Sequence, residues 1–237
     1  MATLNTVEEA LEAIKNGEII IVVDDEDREN EGDLIMAAEF MTTEKMAFII
    51  RHTGGVVCLP LSDDIADRLD LQHMVSRNTS KYGTPFTESI EAKHGVSTGI
   101  SAQDRATTIK TAINPNAKAE DLVRPGHIFP LRAQDGGVLW RGGHTEASVD
   151  LCKMAGLTPA AVLSEAMHDD GTMMRLPALK EFATEHGLKI ISVADLIAYR
   201  HNTESFIKLA AESDLQTETG TWHVRVYEDS LKHTEHV

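Results

Sequence analysis

The sequence predicts an α+β fold, a mixed sheet with flanking helices. Three observations carry this. Short β-branched runs, such as Ile19-Ile20-Ile21-Val22-Val23 and Lys189-Ile190-Ile191, have the length of strands. Several stretches begin with a capping residue and carry apolar side chains three or four apart, as helices do. Their order lacks the clean repeat of a βαβ protein. Along the chain, Thr6 caps a helix that carries Leu11 and Ile14 and closes near Gly17. The run 19–23 follows as a buried strand. Thr43 opens a helix with Met46, Ile49 and Ile50 on one side, stopped by Gly54-Gly55. Val56 to Leu59, before Pro60, reads as a second strand, and Phe86 to Glu91 as a half-exposed one. Ser101 and Asp104 match a capping box, opening a helix to about Ile113. Pro115 to Gly126 reads as irregular with a short helix. Thr158-Pro159 signals a helix running to Asp169-Asp170-Gly171, and Pro177 another that ends at His186-Gly187. After the strand at 189–191, a last helix from Ser192 or Val193 reaches Arg200.

The domain reading is 1–202 for the main body and 203–237 for a tail. In the tail, Glu204 to Glu212 reads as a helix and Trp222 to Tyr227 as a strand, with turns at Thr217 to Thr221 and at Glu228-Asp229-Ser230. One hairpin is not a stable domain by itself.

Composition narrows the function. The 237 residues include 38 acidic and 22 Lys or Arg side chains, a net charge of −16, with 42% apolar residues. This excludes a collagen, a low-complexity chain and a disulfide miniprotein. It argues against nucleic-acid binding, which needs clustered basic residues. An anionic small substrate then needs a local device against repulsion, usually a metal ion. The two cysteines, Cys58 and Cys152, make no disulfide framework and fit a reducing compartment. The start, Met1 to Asn5, lacks the regions of a signal peptide, and 19–23 is too short to cross a bilayer. A cytoplasmic protein without membrane partners is expected.

The densest chemical signal is Asp24-Asp25-Glu26-Asp27-Arg28-Glu29-Asn30-Glu31-Gly32-Asp33, with seven carboxylates and one arginine. If extended, it projects Glu29, Glu31 and Asp33 from one face, where a cation would relieve their repulsion. A solvated acidic loop is the plain alternative. In Trp140-Arg141-Gly142-Gly143-His144-Thr145-Glu146, Arg141 suits phosphate oxygens, the glycines permit close approach, and Thr145 suits the cap of a following helix. His144 suits a metal, or is a histidine satisfied within the loop or core. His127, in the rigid loop Arg124 to Pro130, reads on its own as structural. Glu165, in the mostly apolar run Ala161 to Met167, is a helix carboxylate that is either partly exposed or suited to proton transfer. Cys58 reads as core.

Together, Asp25 to Asp33, Gly126-His127-Ile128-Phe129-Pro130-Leu131 and Gly143-His144-Thr145-Glu146-Ala147 resemble the 3,4-dihydroxy-2-butanone 4-phosphate synthase family. Tyr82 to Thr87 and Ser97 to Ala106 support the resemblance, which runs from near Leu4 to about Arg200. It implies a lyase of riboflavin biosynthesis that converts D-ribulose 5-phosphate to L-3,4-dihydroxy-2-butanone 4-phosphate and formate. It also implies a homodimer with active sites at the interface, using Mg2+ or Mn2+, with two ions per site. By matching position, Glu29 and His144 hold the metals. Arg28, Glu29 and Asp33 contact the sugar, and Arg141, Gly142, Gly143, His144 and Thr145 hold the phosphate end. His127 and Glu165 are essential, Glu165 also touching substrate, while Glu31 and Asp33 serve proton transfer or a water-mediated metal contact. The acidic loop is expected to act as a lid. Ser164 stands where the family often has cysteine. The tail segments Gly220 to Asp229 and Glu235-His236-Val237 resemble the opening of GTP cyclohydrolase II, incomplete here and without its activity. Competing readings are another metal-dependent sugar-phosphate isomerase or lyase, and a silent phosphosugar-binding domain. An acidic calcium module is weaker, because the Asp-x-Asp-x-Asp-Gly ladder is missing.

Overall fold

A computed structural model describes residues 4–229, 231 and 234–237. The chain divides into two units, 1–197 and 198–237. The elements are α1 (Val7–Lys15), β1 (Ile20–Val23), β2 (Gly32–Ala37), α2 (Thr43–His52), β3 (Cys58–Leu61), α3 (Asp63–Arg68), β4 (Ile90–Ala92), α4 (Ala102–Ile113) and β5 (Leu122–Arg132). Then follow α5 (His144–Met154), β6 (Ala161–Glu165), α6 (Leu176–His186), β7 (Lys189–Ser192), α7 (Val193–Thr203), β8 (Ile207–Thr217), β9 (Gly220–Asp229) and β10 (Thr234–His236).

The first unit holds a seven-stranded sheet in the order β4-β5-β3-β6-β2-β1-β7. It is mixed: β1 runs antiparallel to β2 but parallel to β7, and β3 runs parallel to β5 but antiparallel to β6. On one face Met46 and Ile49 of α2, Ile109 of α4 and Leu179 of α6 bury Ile21, Leu34, Met36 and Leu59. The other face is covered by α1 and α5, which pack on β7 and on β2, β3 and β6. Burial on both faces explains why β1 and β2 are apolar at nearly every position.

The local signals at helix ends hold. Thr6 caps α1 in a full capping box with Glu9, and Gly187 ends α6 in the left-handed region. Ser101 caps α4 through Asp104 N–H, but the Asp104 carboxylate turns instead to Ser97 Oγ and Gly99 N–H, so the box is half formed.

Several expectations fail. The helix expected from Thr158-Pro159 is the strand β6, wedged between β3 and β2, so Glu165 ends a strand. A run apolar all round suits a buried helix and a central strand equally, and pairing on both edges decides for the strand. The loop expected at 124–130 is β5, so His127 sits on a strand; of the irregular stretch before it, 115–121 is irregular with a short helix at Ala119–Asp121, and β5 starts at Leu122. The second strand begins at Cys58 and includes Pro60. Of the third candidate only Ile90 and Glu91 join the ladder, which continues to Ala92, while Phe86 makes an isolated bridge to Leu131. β2 and α3 were not anticipated.

In the second unit the helix expected at Glu204 to Glu212 is β8, antiparallel to β9 along its length; long-range pairing overrides local preference. Of the turn expected at Glu228-Asp229-Ser230, Glu228 and Asp229 end β9 instead, and Ser230 lies outside the described residues. No helix is long and apolar enough to cross a membrane, among the described residues.

Candidate active site

Four segments meet where β1 ends and β2 begins: loop 24–31, the ends of β2 and β6, and the start of α5. Register places the first pair of carboxylates. Val22 pairs with Asp33 across β1–β2, and Asp33 pairs with Glu165 across β2–β6. Directly opposed residues share a face with Cβ atoms roughly 5 Å apart, so two acids stand side by side.

His144 is the first residue of α5 and is buried. Its Nε2 lies 3.1 Å from the Val22 carbonyl, to which Nε2–H donates. That fixes the ring and turns Nδ1 toward Asp33 Oδ2 at 3.6 Å and Glu29 Oε2 at 3.8 Å. Both gaps exceed a hydrogen bond. Asp33 Oδ1 is buried with no hydrogen-bond partner among the described residues. An orphaned carboxylate oxygen beside an imidazole and a second carboxylate is a donor set fit for a divalent cation.

Asp24, Glu29 and His144 place ligand atoms within 4.8 Å of one another. Asp24, however, is occupied in shaping the loop. Its carboxylate accepts from the N–H groups of Glu29 and Glu31 and from Arg28 Nη1. Glu29 and His144 are the members of this group not tied up in shaping the loop, and Asp33 lies alongside.

The electrostatics show a site short of positive charge. Desolvation pushes the Asp33 carboxyl up to about 8, against the pull of His144, with Glu165, Glu29 and Glu31 adding to the rise. Burial works to lower the His144 imidazole, but Asp33, Glu29 and Asp24 outweigh it and hold it at about 9. Glu31 is raised by desolvation, then by Glu165 and Glu29. Glu29 alone falls, to about 2, because His144 and Arg28 overcome burial. Burial, then Glu165 and Asp33, raise the Cys58 thiol well above its ordinary value, so it is no nucleophile.

Beside the acids is an anion cradle. A Cβ on Gly143 would come within 2.6 Å of Arg141 Nη1 and 3.0 Å of Arg28 Nη2. The bare backbone of Gly143 thus has both guanidinium ends close by where α5 begins, a place suited to an anion. Gly143 is also the N-cap, with no side-chain cap bond, so Thr145 lies inside the first turn and does not cap the helix as expected.

Arg141 is held by two partners. Its Nη1 lies 2.6 Å from Glu146 Oε2, and its Nη2 donates to the Tyr82 carbonyl at 3.2 Å. Glu146 is fully buried and also accepts from Gln134 N–H. Tyr82 in turn donates its hydroxyl to the Arg28 carbonyl and faces the Arg28 guanidinium, 5.1 Å from the ring centroid.

A cavity of about 100 Å³ is lined by Arg28, Glu29, Glu31, Asp33, Arg141, His144, Thr145 and Glu165. The sequence-derived set thus converges, with three exceptions. Gly142 and Gly143 do not line the cavity, and neither does His127. His127 lies on β5, two strands from β6, and its Nδ1 is 2.6 Å from Glu91 Oε2. A larger groove of about 460 Å³ along α4, with Lys110 and Asn114 in its wall, gathers no such acids.

Sequence reasoning missed Glu146, Glu91 and the role of Asp24. Glu146 was visible as a carboxylate beside the phosphate-type loop. Glu91 carries no local signal, because only strand pairing brings it to His127. Cys58, Thr84, Phe86, Leu131 and Leu163 complete the lining.

The profile of the 3,4-dihydroxy-2-butanone 4-phosphate synthase family matches residues 8–199. The chain belongs to this family. A relative of that name from Neisseria meningitidis serogroup B is 53% identical over 237 residues, all of this chain and 65% of the relative. The chain thus spans just under two thirds of the relative's length. A two-domain 3,4-dihydroxy-2-butanone 4-phosphate synthase from A. baumannii superposes with a TM-score of 0.85 at 46% identity, covering 95% of this chain and 66% of that one. A 3,4-dihydroxy-2-butanone 4-phosphate synthase in complex with two magnesium ions gives a TM-score of 0.82 at 43% identity, covering 84% and 98%.

Proposed function

We propose that the protein is a lyase of riboflavin biosynthesis that converts D-ribulose 5-phosphate to L-3,4-dihydroxy-2-butanone 4-phosphate and formate. One observation carries the reading. Glu29, Asp33 and His144 converge, with ligand atoms 3.6 to 3.8 Å apart, directly beside the Arg28, Arg141 and α5 anion cradle. A phosphorylated ketose offers matching ends: a phosphate for the cradle and oxygens for the acidic side.

Glu29 and His144 would hold the metal, two Mg2+ or Mn2+ ions per site, as the magnesium complex of the relative supports. Bound there, the cation polarises the ketose oxygens and favours enolisation. Arg141, steadied by Glu146 and Tyr82, binds phosphate with Arg28 and the N–H groups of His144 and Thr145. Gly142 and Gly143 give the loop its close approach. Asp33 and Glu165, side by side, accept and return the protons of enolisation, and Glu31 joins them. The Asp33 carboxyl, pushed up to about 8 by burial, is suited to both directions of transfer near neutral pH.

The cavity of about 100 Å³ is smaller than a pentose phosphate. Loop 24–31 therefore opens for entry and closes to exclude water. The loop is pinned by the Arg175 guanidinium, which donates to the Glu29 and Asn30 carbonyls, and by Tyr82.

His127 is essential to the reaction in this reading. Its ring is 42% exposed and stands outside the cavity, which supports a homodimer whose partner subunit completes the site. The two buried, unpaired cysteines support a cytoplasmic enzyme. The acidic balance supports a protein without nucleic-acid or membrane partners. The functional domains are 1–202 and 203–237, the second resembling the opening of GTP cyclohydrolase II.

The test is carbon-13 NMR of labelled ribulose 5-phosphate with the protein and magnesium. Formate and a four-carbon phosphate should appear, and a chelator should stop both. A five-carbon product would assign an isomerase instead, and turnover unaffected by the chelator would remove the metal from the account.

A further inference from the structure

We infer that Glu91 is a positioning residue for His127, holding the imidazole by Nδ1 and leaving Nε2 for proton transfer. This rests on the reading that His127 takes part in the reaction. Glu91 lies on β4 and is 7% exposed, whereas the His127 ring beside it on β5 is 42% exposed. Glu91 Oε2 is 2.6 Å from His127 Nδ1. The other oxygen, Oε1, is 3.0 Å from Thr108 Oγ1 on α4. That hydroxyl is itself placed by the Ala92 N–H, which donates to it at 3.0 Å.

A buried carboxylate is costly unless its charge is answered. Arg105 of α4, also buried, lies within electrostatic reach of Glu91 while its guanidinium donates to the carbonyls of Ile100 and Gly55. The fold makes room for the pair at two glycines. A Cβ on Gly99, which has φ +88, would stand 1.8 Å from Glu91 Oε2. A Cβ on Gly126 would stand 1.9 Å from the Ile90 carbonyl oxygen, holding β5 off β4 just before His127.

A carboxylate accepts and cannot donate, so the neutral ring beside it carries its proton on Nδ1. Nε2 then bears the lone pair, and no described residue occupies it. The division of labour is that of the aspartate in a Ser-His-Asp triad, which sets a tautomer and an orientation without itself reacting.

The experiment uses the full chain, labelled with 15N-histidine, and Glu91→Gln. The amide is isosteric but can donate as well as accept, so it removes the constraint on tautomer without opening a hole. His127→Asn assigns the His127 signals. In the unaltered protein, His127 should show a protonated Nδ1 and a bare Nε2. In Glu91→Gln the tautomers should mix or invert. With ribulose 5-phosphate, kcat should fall about 100-fold with KM within about twofold. Thr108→Ser, which keeps the Ala92 bond but loosens the hydroxyl's hold on Glu91, should give a smaller loss of the same kind and serves if Glu91→Gln fails to fold. An unchanged tautomer with kcat within about twofold in Glu91→Gln, while His127→Asn is inactive, overturns the inference alone. Full turnover in His127→Asn overturns the role of His127 and the inference with it. If the unaltered protein releases no formate, the reaction reading fails, and the tautomer signal still decides whether Glu91 sets the ring.

Discussion

Two histidines of this protein face carboxylates, and spacing separates their roles. His144 is buried, with acid oxygens at 3.6 and 3.8 Å. His127 is half-exposed, with an acid oxygen at 2.6 Å. Two atoms each about 2.1 Å from one magnesium ion stand roughly 3–4 Å apart. The His144 cluster therefore has the separation of a ligand set, held apart by β1, β2 and α5. The His127 pair is closed, has no room for an ion, and orients a ring. The nearest partner of each Nδ1 is a carboxylate in both cases, so identity alone would not distinguish them.

The largest effects should fall on the open cluster. Glu29→Gln and His144→Ala should each lower kcat by about 10³-fold or more, since each removes a proposed metal ligand. Steady-state formate release measures this. Either variant keeping more than a tenth of the activity would break the comparison. Next come the paired acids. Glu165→Gln should lower kcat by about 10²- to 10⁴-fold with little change in KM, the span expected for loss of a proton-transfer group.

An intermediate effect belongs to the cradle. Arg141→Met should raise KM by about tenfold or more, because a charge-assisted contact is worth about 1.5–3 kcal/mol. Magnesium should then sharpen the contrast between the histidines. At about 100 times its Kd, an ion that binds only the folded state adds about 2.7 kcal/mol, a shift of several degrees in Tm. Calorimetry should show the shift in the unaltered protein and in Glu91→Gln, and its loss in His144→Ala. The smallest effect belongs to the second unit. β8 is exposed at every position and β9 at most, so this small sheet buries almost no core. Deleting 204–237 should leave kcat within about twofold. Amides of β8 should exchange far faster than those of β1, β2 and β6.

Much of this was present in the sequence. Caps and stops at Thr6, Ser101 and Gly187 are local, because a helix end is settled within a few residues of itself. The acidic run, the Arg141 to Thr145 loop and Glu165 were legible because their residue types are costly in that density without a ligand. What stayed hidden depended on partners far along the chain. The run 161–165 is apolar all round, and only the strands on its two sides made it β6 and set Glu165 against Asp33. Tertiary structure alone tied His144 to the Val22 carbonyl, carried Glu91 to His127 and turned β8 from an expected helix into a strand. Composition and short-range spacing determine which groups the chain possesses and where its helices begin. Strand pairing is a long-range choice, and it alone decided which of those groups stand close enough to act together.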